Sequence, residues 1–199
     1  MPRSRTGTGK AGSRAGLSPA AVVDAALATV DEQGPAALTL AAVAARTGVA
    51  VPSLYKHVKG LPELRLMLVK RVFGELAEQL RDAALGRSGD DAVATVLHAY
   101  RDYARAHPER YALLPQGAGP QATELGAEVV KVIFAALRGY GLADADLVHA
   151  TRCLRAAAHG FAALETAGAF GLPDSVDTSH DHLVTTITSG LATAFRIGA

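Results

Sequence analysis

Leu64, Leu68, Val72, Leu76 and Leu80 recur at four-residue steps. That spacing lines five aliphatic side chains along one face of a helix and is incompatible with a strand, whose sides alternate every second residue. The pattern predicts a long amphipathic helix from Leu61 to about Leu85, broken by the glycines at 86 and 89. Upstream, Ser18-Pro19 reads as a cap and first helical residue, and Val23, Leu27 and Val30 form one apolar stripe up to Gln33-Gly34-Pro35. Thr39 opens a second helix with Leu40, Val43 and Ala44 on one face, and Thr47-Gly48 closes it. A third, short helix starts near Pro52 and turns Leu54 and Val58 inward. Downstream, Val93, Leu97 and Tyr100 mark a helix that stops at His107-Pro108, and Tyr111 to Leu114 reads as one short helical turn. Helices are also expected over 129–137, 144–169 and 177–197. No segment alternates convincingly with period two, so the expected fold class is all-α.

The chain has 199 residues, 49% hydrophobic and 20% charged, which suits a buried core and excludes wholesale disorder. A single cysteine, Cys153, excludes an internal disulfide and argues against a cysteine-based zinc site. No uncharged run is long enough to span a membrane, and the N-terminal arginines precede no apolar stretch. A cytoplasmic protein without membrane contact is expected. Net charge is +1, but residues 1–60 carry seven basic and three acidic side chains, against 13 and 16 in the remainder. A basic front on a mildly acidic body fits nucleic-acid contact at one end.

The chain divides into a Gly/Ser/Thr/Arg-rich arm at 1–17, a small helical unit at 18–60 and a larger helical unit at 61–199. The arm lacks hydrophobic periodicity and is expected to be disordered, either a dispensable tail or a basic strap for phosphates. Its Gly9-Lys10 does not make a phosphate loop, because Ser4 and Ala11 stand where Gly and Ser or Thr are required. No pattern for a serine hydrolase or zinc peptidase is present, and no nucleophile–base pair is identifiable. Neither catalysis nor a cofactor is expected.

The window LTLAAVAARTGVAVPSLYKHV, from Leu38 to Val58, has the spacing of a helix-turn-helix. Ala44 is small where two helices would touch, Gly48 suits the turn, and Leu54 anchors the second helix. That geometry exposes Val51, Pro52, Ser53, Tyr55 and Lys56, with His57 and Lys59 at the end. An ordinary helical corner would satisfy the same spacing.

The capped first helix, LTLAAVAARTGV, PSLYKHVKG and the following long helix together resemble the TetR family of one-component regulators over residues 18–68. The resemblance implies a DNA-binding head, an effector-binding helical body and a homodimer reading an inverted-repeat operator in double-stranded DNA. Position by position it implies that Thr39 holds a phosphate and that Tyr55, His57 and Lys59 grip the backbone. Val51, Pro52, Ser53 and Lys56 would then face the base edges. Tyr55 could instead pack in the core, and Lys56 could be merely solvated.

HPERYALL, from His107 to Leu114, and LRAAAHGFAALETAGAFGLP, from Leu154 to Pro173, resemble a C-terminal subtype marked by a His-Gly pair. That subtype often carries Trp before the pair, whereas this chain has Ala158. By this resemblance, Phe73, Leu76, Leu80, Leu97, Tyr100, Tyr103, Leu114, Phe134 and His159 would line a pocket for a small apolar or weakly polar organic effector. They could equally be filled core. The last two helices would form the dimer interface through Ala156, Ala163, Ala167, Leu183, Ile187, Leu191 and Phe195, unless that stripe packs within one subunit. Gly160 would allow close helix approach, Phe161 and Leu164 read as core, and Cys153 reads as a buried small side chain. His180-Asp181-His182 is not read as a metal site, because residues two apart do not share a helix face. They are expected to cap or begin the last helix.

Overall fold

A computed structural model describes residues 17–114 and 124–194, and every regular element among them is helical. In chain order the helices are α1 (Pro19–Gln33), α2 (Leu40–Thr47), α3 (Val51–Leu54), α4 (Leu61–Ala84), α5 (Gly89–Ala106), α6 (Pro108–Tyr111), α7 (Ala127–Leu137), α8 (Asp144–Thr166) and α9 (Val176–Ala194). The all-α class read from the sequence is the one observed. Residues 1–16, most of the basic arm, lie outside the described residues, as does Phe195.

Local chemistry sets the first three helices. The Ser18 hydroxyl accepts from Ala21 N–H at 3.1 Å, with Pro19 at the first helical position. The Thr39 hydroxyl does the same for Ala42 N–H, also at 3.1 Å. Gly48 takes the left-handed conformation, φ 69°, and lets Val49 N–H reach the Ala44 carbonyl at 3.1 Å, so the chain reverses sharply into α3. Val22, Val30, Val43 and Leu54 are fully buried where α1, α2 and α3 meet.

The four-residue stripe behaves as its spacing requires. Leu64, Leu68, Val72, Leu76 and Leu80 are all fully buried along α4. They pack α4 against α1 at one end and against α5 and α7 along its length. Antiparallel to it, α5 contributes Val93, Val96, Leu97, Tyr100 and Tyr103 to the same core. α8 and α9 close the far side. Arg101 of α5, itself only 7% exposed, binds Glu165 of α8 at 2.6 and 2.7 Å and Asp177 of α9 at 2.6 Å.

Several boundaries and burials differ from the sequence reading. The turn expected at 111–114 begins earlier, at Pro108, because proline fits the first helical position. α8 stops at Thr166, since Gly168 at φ 67° reverses the chain and Ala169 N–H bonds back to the Leu164 carbonyl. α9 starts at Val176, so the 180–182 triplet lies inside the helix rather than at its beginning. Cys153 is exposed, Phe161 is half-buried and Leu164 is 49% exposed. A Cβ added at Gly160 would meet nothing within 4 Å, so no close helix approach occurs there among the described residues. Cys153 and Leu164 are exposed on α8 among the described residues.

One glycine is sterically required. A methyl group at residue 139 would stand 2.9 Å from Gly89 Cα and closer still to its nitrogen. The obstacle is backbone, which cannot rotate away. Gly139→Ala should therefore lower stability by about 1–3 kcal/mol, measured by chemical denaturation. An unchanged midpoint would show that the two loops separate freely.

Candidate DNA-binding and effector sites

The tip of the head is built from the end of α3 and the turn after it. Leu54 and Val58 are buried and fix the turn, while Pro52, Tyr55, Lys56 and Lys59 stand exposed, Tyr55 at 56%. Ser53 and His57 are half-exposed, and Thr39 is exposed at the start of α2. Tyr55 is therefore outside the core. Val51 is half-buried, as Ser53 is, and it packs against the hydrophobic core. Lys56 and Lys59 have no carboxylate partner among the described residues, whereas Arg46 is tied to Glu32. The Lys59 backbone N–H donates to the Glu63 carboxylate, which anchors the turn to the first turn of α4. The exposed group thus offers two cations, a phenol, an imidazole and two hydroxyls, the donors that hold phosphate oxygens and base edges.

The body residues expected to line one pocket separate into two groups. Tyr100, Tyr111 and His159 meet in a cluster: Tyr111 Oη lies 3.3 Å from Tyr100 Oη and hydrogen-bonds His159 Nδ1, and Tyr100 Oη is 3.4 Å from the same nitrogen. Burial pushes both phenol pKa values up, and for Tyr111 the neighbouring Tyr100 adds to the effect. Burial pushes the His159 pKa down, helped by the Arg155 charge, so the imidazole stays neutral near pH 7. Leu76, Leu80, Leu97 and Leu114 are buried in the surrounding core, Phe73 nearly so, and Phe134 is half-buried. Tyr111 was not singled out from the sequence, although it stands in the quoted HPERYALL segment.

Tyr103 belongs elsewhere. Its hydroxyl donates to Glu75 at 3.0 Å, and Arg110 binds the same carboxylate oxygen at 3.0 Å. Arg110 also grips Asp31 at the end of α1 through two bonds of 2.7 and 2.8 Å. The phenol is spent on an ion-pair network joining α1, α4, α5 and α6, three residues along α5 from Tyr100, which faces the cluster. Its pKa is raised by burial and by the Glu75 charge, and Asp31 is held below the usual carboxylate range by its bond to Arg110. Next to this network, Glu75, Glu78, Gln79, Asp82, Tyr103, His107 and Arg110 line a polar groove of about 390 Å³.

The residues expected at a dimer interface also divide. Ala156 and Ala167 are exposed, and Ala163 and Leu183 are half-buried. Leu191 is only 5% exposed within its own subunit and Ile187 packs against the same core. These two belong to the inner face of α9 with Val184 and Thr188, because residues at 184, 187, 188 and 191 share one side of a helix.

No helix among the described residues is long and apolar enough to cross a membrane. Residues 22–59 match the family model described as bacterial regulatory proteins of the tetR family, and residues 93–187 match a tetracyclin repressor-like C-terminal domain. The chain is 33% identical over 181 residues to YobS of Bacillus subtilis (strain 168), an uncharacterized HTH-type transcriptional regulator. That alignment covers 89% of this chain and 94% of the relative. The fold is shared with BioQ bound to its double-stranded DNA operator (TM-score 0.68, 22% identity, 89% of this chain and 99% of that one). It is shared also with a TetR variant of Acinetobacter baumannii AYE in complex with minocycline (TM-score 0.70, 17% identity, 90% and 99%). The matched relatives are regulators and not enzymes, and the two family models together span the helix-turn-helix and most of the body. The chain is a member of the TetR family of DNA-binding transcriptional regulators.

Proposed function

We propose that this regulator is a cytoplasmic, ligand-responsive repressor. As a homodimer it binds an inverted-repeat operator through head residues 18–60, and it releases DNA when a small, weakly polar organic molecule occupies the body, residues 61–199. The observation that carries the reading is the placement of α6. Arg110 on this four-residue helix holds Asp31 of the head, and its neighbour Tyr111 joins Tyr100 and His159 in the body. A molecule that takes over the hydrogen bonds of that cluster must move Tyr111. Any accompanying shift of the α6 backbone displaces Arg110 and, through Asp31, reaches α1. The minocycline complex of a protein sharing this fold supports a ligand in the body, and the BioQ–operator complex supports the head as the DNA-binding end.

Two heads on a twofold axis must reach successive major grooves about 34 Å apart, which is why the operator repeats are inverted. An effector releases DNA only to the extent that it prefers the arrangement in which that spacing is wrong. In the head, Thr39, Tyr55, His57 and Lys59 act on the backbone, while Val51, Pro52, Ser53 and Lys56 face base edges.

Selecting bound fragments from genomic DNA should recover inverted repeats, and a set without twofold symmetry would overturn the dimeric reading. On a recovered operator, Lys59→Ala should weaken all sequences by a similar factor and lower the salt dependence by about one unit of slope. Lys56→Ala should instead change the ranking of operator variants. Anisotropy titrations at several salt concentrations distinguish the two.

The exposed face of α8 should be the dimer contact. A charge there, as in Ala156→Glu, should shift sedimentation from dimer to monomer while the helical circular dichroism is kept. A dimer that persists would place the interface elsewhere.

Thermal-shift screening should find ligands that raise the melting temperature, since binding the folded state alone stabilises it. In Asp31→Asn the same ligand should still raise the melting temperature but release operator less completely. Full release in that variant would show that Arg110 does not carry the signal.

A further inference from the structure

His180 and His182 stand two residues apart on α9 and do not share a helix face. Folding brings a different histidine to His180. His98 of α5 packs edge-on against His180 of α9, with ring centroids 5.0 Å apart. One donor atom from each of His98, His180 and Asp181 lies within 4.8 Å of a donor atom from each of the other two. His180 is 1% exposed, and its Nδ1 is buried with no hydrogen-bond partner among the described residues. A bare imidazole nitrogen in the interior is costly unless something binds it. Phe161 also packs edge-on against the His180 ring, with centroids 4.9 Å apart.

We propose that His98, His180 and Asp181 bind one divalent cation of the zinc class, fastening α9 to α5. Two imidazoles and one carboxylate suit zinc, cobalt(II) or nickel and not the oxygen-seeking magnesium or calcium. With bonds of about 2.0–2.1 Å, tetrahedral donors sit about 3.4 Å apart. The three groups must therefore close in somewhat. His98 and Asp181 are exposed and free to do so around the fixed His180. Arg101 lies close enough to oppose positive charge at His180, but it is paired with Glu165 and Asp177, and the Asp181 and Glu165 carboxylates act against it. A fourth position is left for water. The site shares no residue with the Tyr100–Tyr111–His159 cluster and stands whether or not that cluster binds an effector.

Full-length protein freed of metal should take up one equivalent of zinc per chain by calorimetry. Cobalt(II) should develop the intense visible absorption of tetrahedral coordination. Zinc should raise the melting temperature, and magnesium should not. Both substitutable ligands are on the surface, so His98→Ala and Asp181→Asn should fold normally. Each should weaken zinc by at least tenfold, as loss of even a ligand's outer partner costs about 10–100-fold. His182→Ala, one residue away and exposed, should bind as the parent does. Absence of saturable one-equivalent binding would overturn the proposal. So would a His182→Ala loss as large as that of His98→Ala, which would mean scattered surface histidines.

Discussion

Burial of the α4 stripe is the constraint on which everything else depends. Leu64, Leu68, Val72, Leu76 and Leu80 are completely removed from solvent. Each such side chain contributes about 1.5–3 kcal/mol, so the five together amount to roughly 10 kcal/mol. That is comparable to the whole net stability of an ordinary domain, about 5–15 kcal/mol. Because one helix packs against α1 at its start and against α5 and α7 further on, head and body share a core element. Neither can be reoriented without disturbing the same row of leucines.

The polar networks act differently. Arg110, Asp31 and Glu75 are each partly exposed, with side-chain accessibilities of 21%, 35% and 21%. Ion pairs in such settings contribute about 0–1 kcal/mol each, far less than the apolar stripe. Their value is geometric: bidentate bonding between Arg110 and Asp31 fixes where α6 sits on α1. A cheap, directional contact is also easily exchanged, which suits a joint between the helix-turn-helix end and the larger helical body.

Much of the fold was legible along the chain because the signals were local. Ser18, Thr39 and Gly48 act within four residues of themselves, and the α4 stripe repeats within one helix. The same locality made the exposed tip readable, since burying Leu54 and Val58 dictates which side chains between them face out. That Val51 also packs against the core depends on how α3 docks, which no spacing rule names.

The sequence by itself determined the helices, their caps and the helix-turn-helix, because each depends on covalent geometry and on periodicities of a few residues. Tertiary structure alone decided which face of each helix found a partner. Tyr100 and Tyr103 are three apart and chemically identical, yet one meets His159 and the other meets Glu75. Leu191 and Ala156 were both assigned to one interface, yet only Leu191 is covered within the subunit. His98 and His180 stand 82 positions apart and their rings touch. Such pairings are settled by how whole helices dock, a competition among many apolar contacts that no short window of sequence contains.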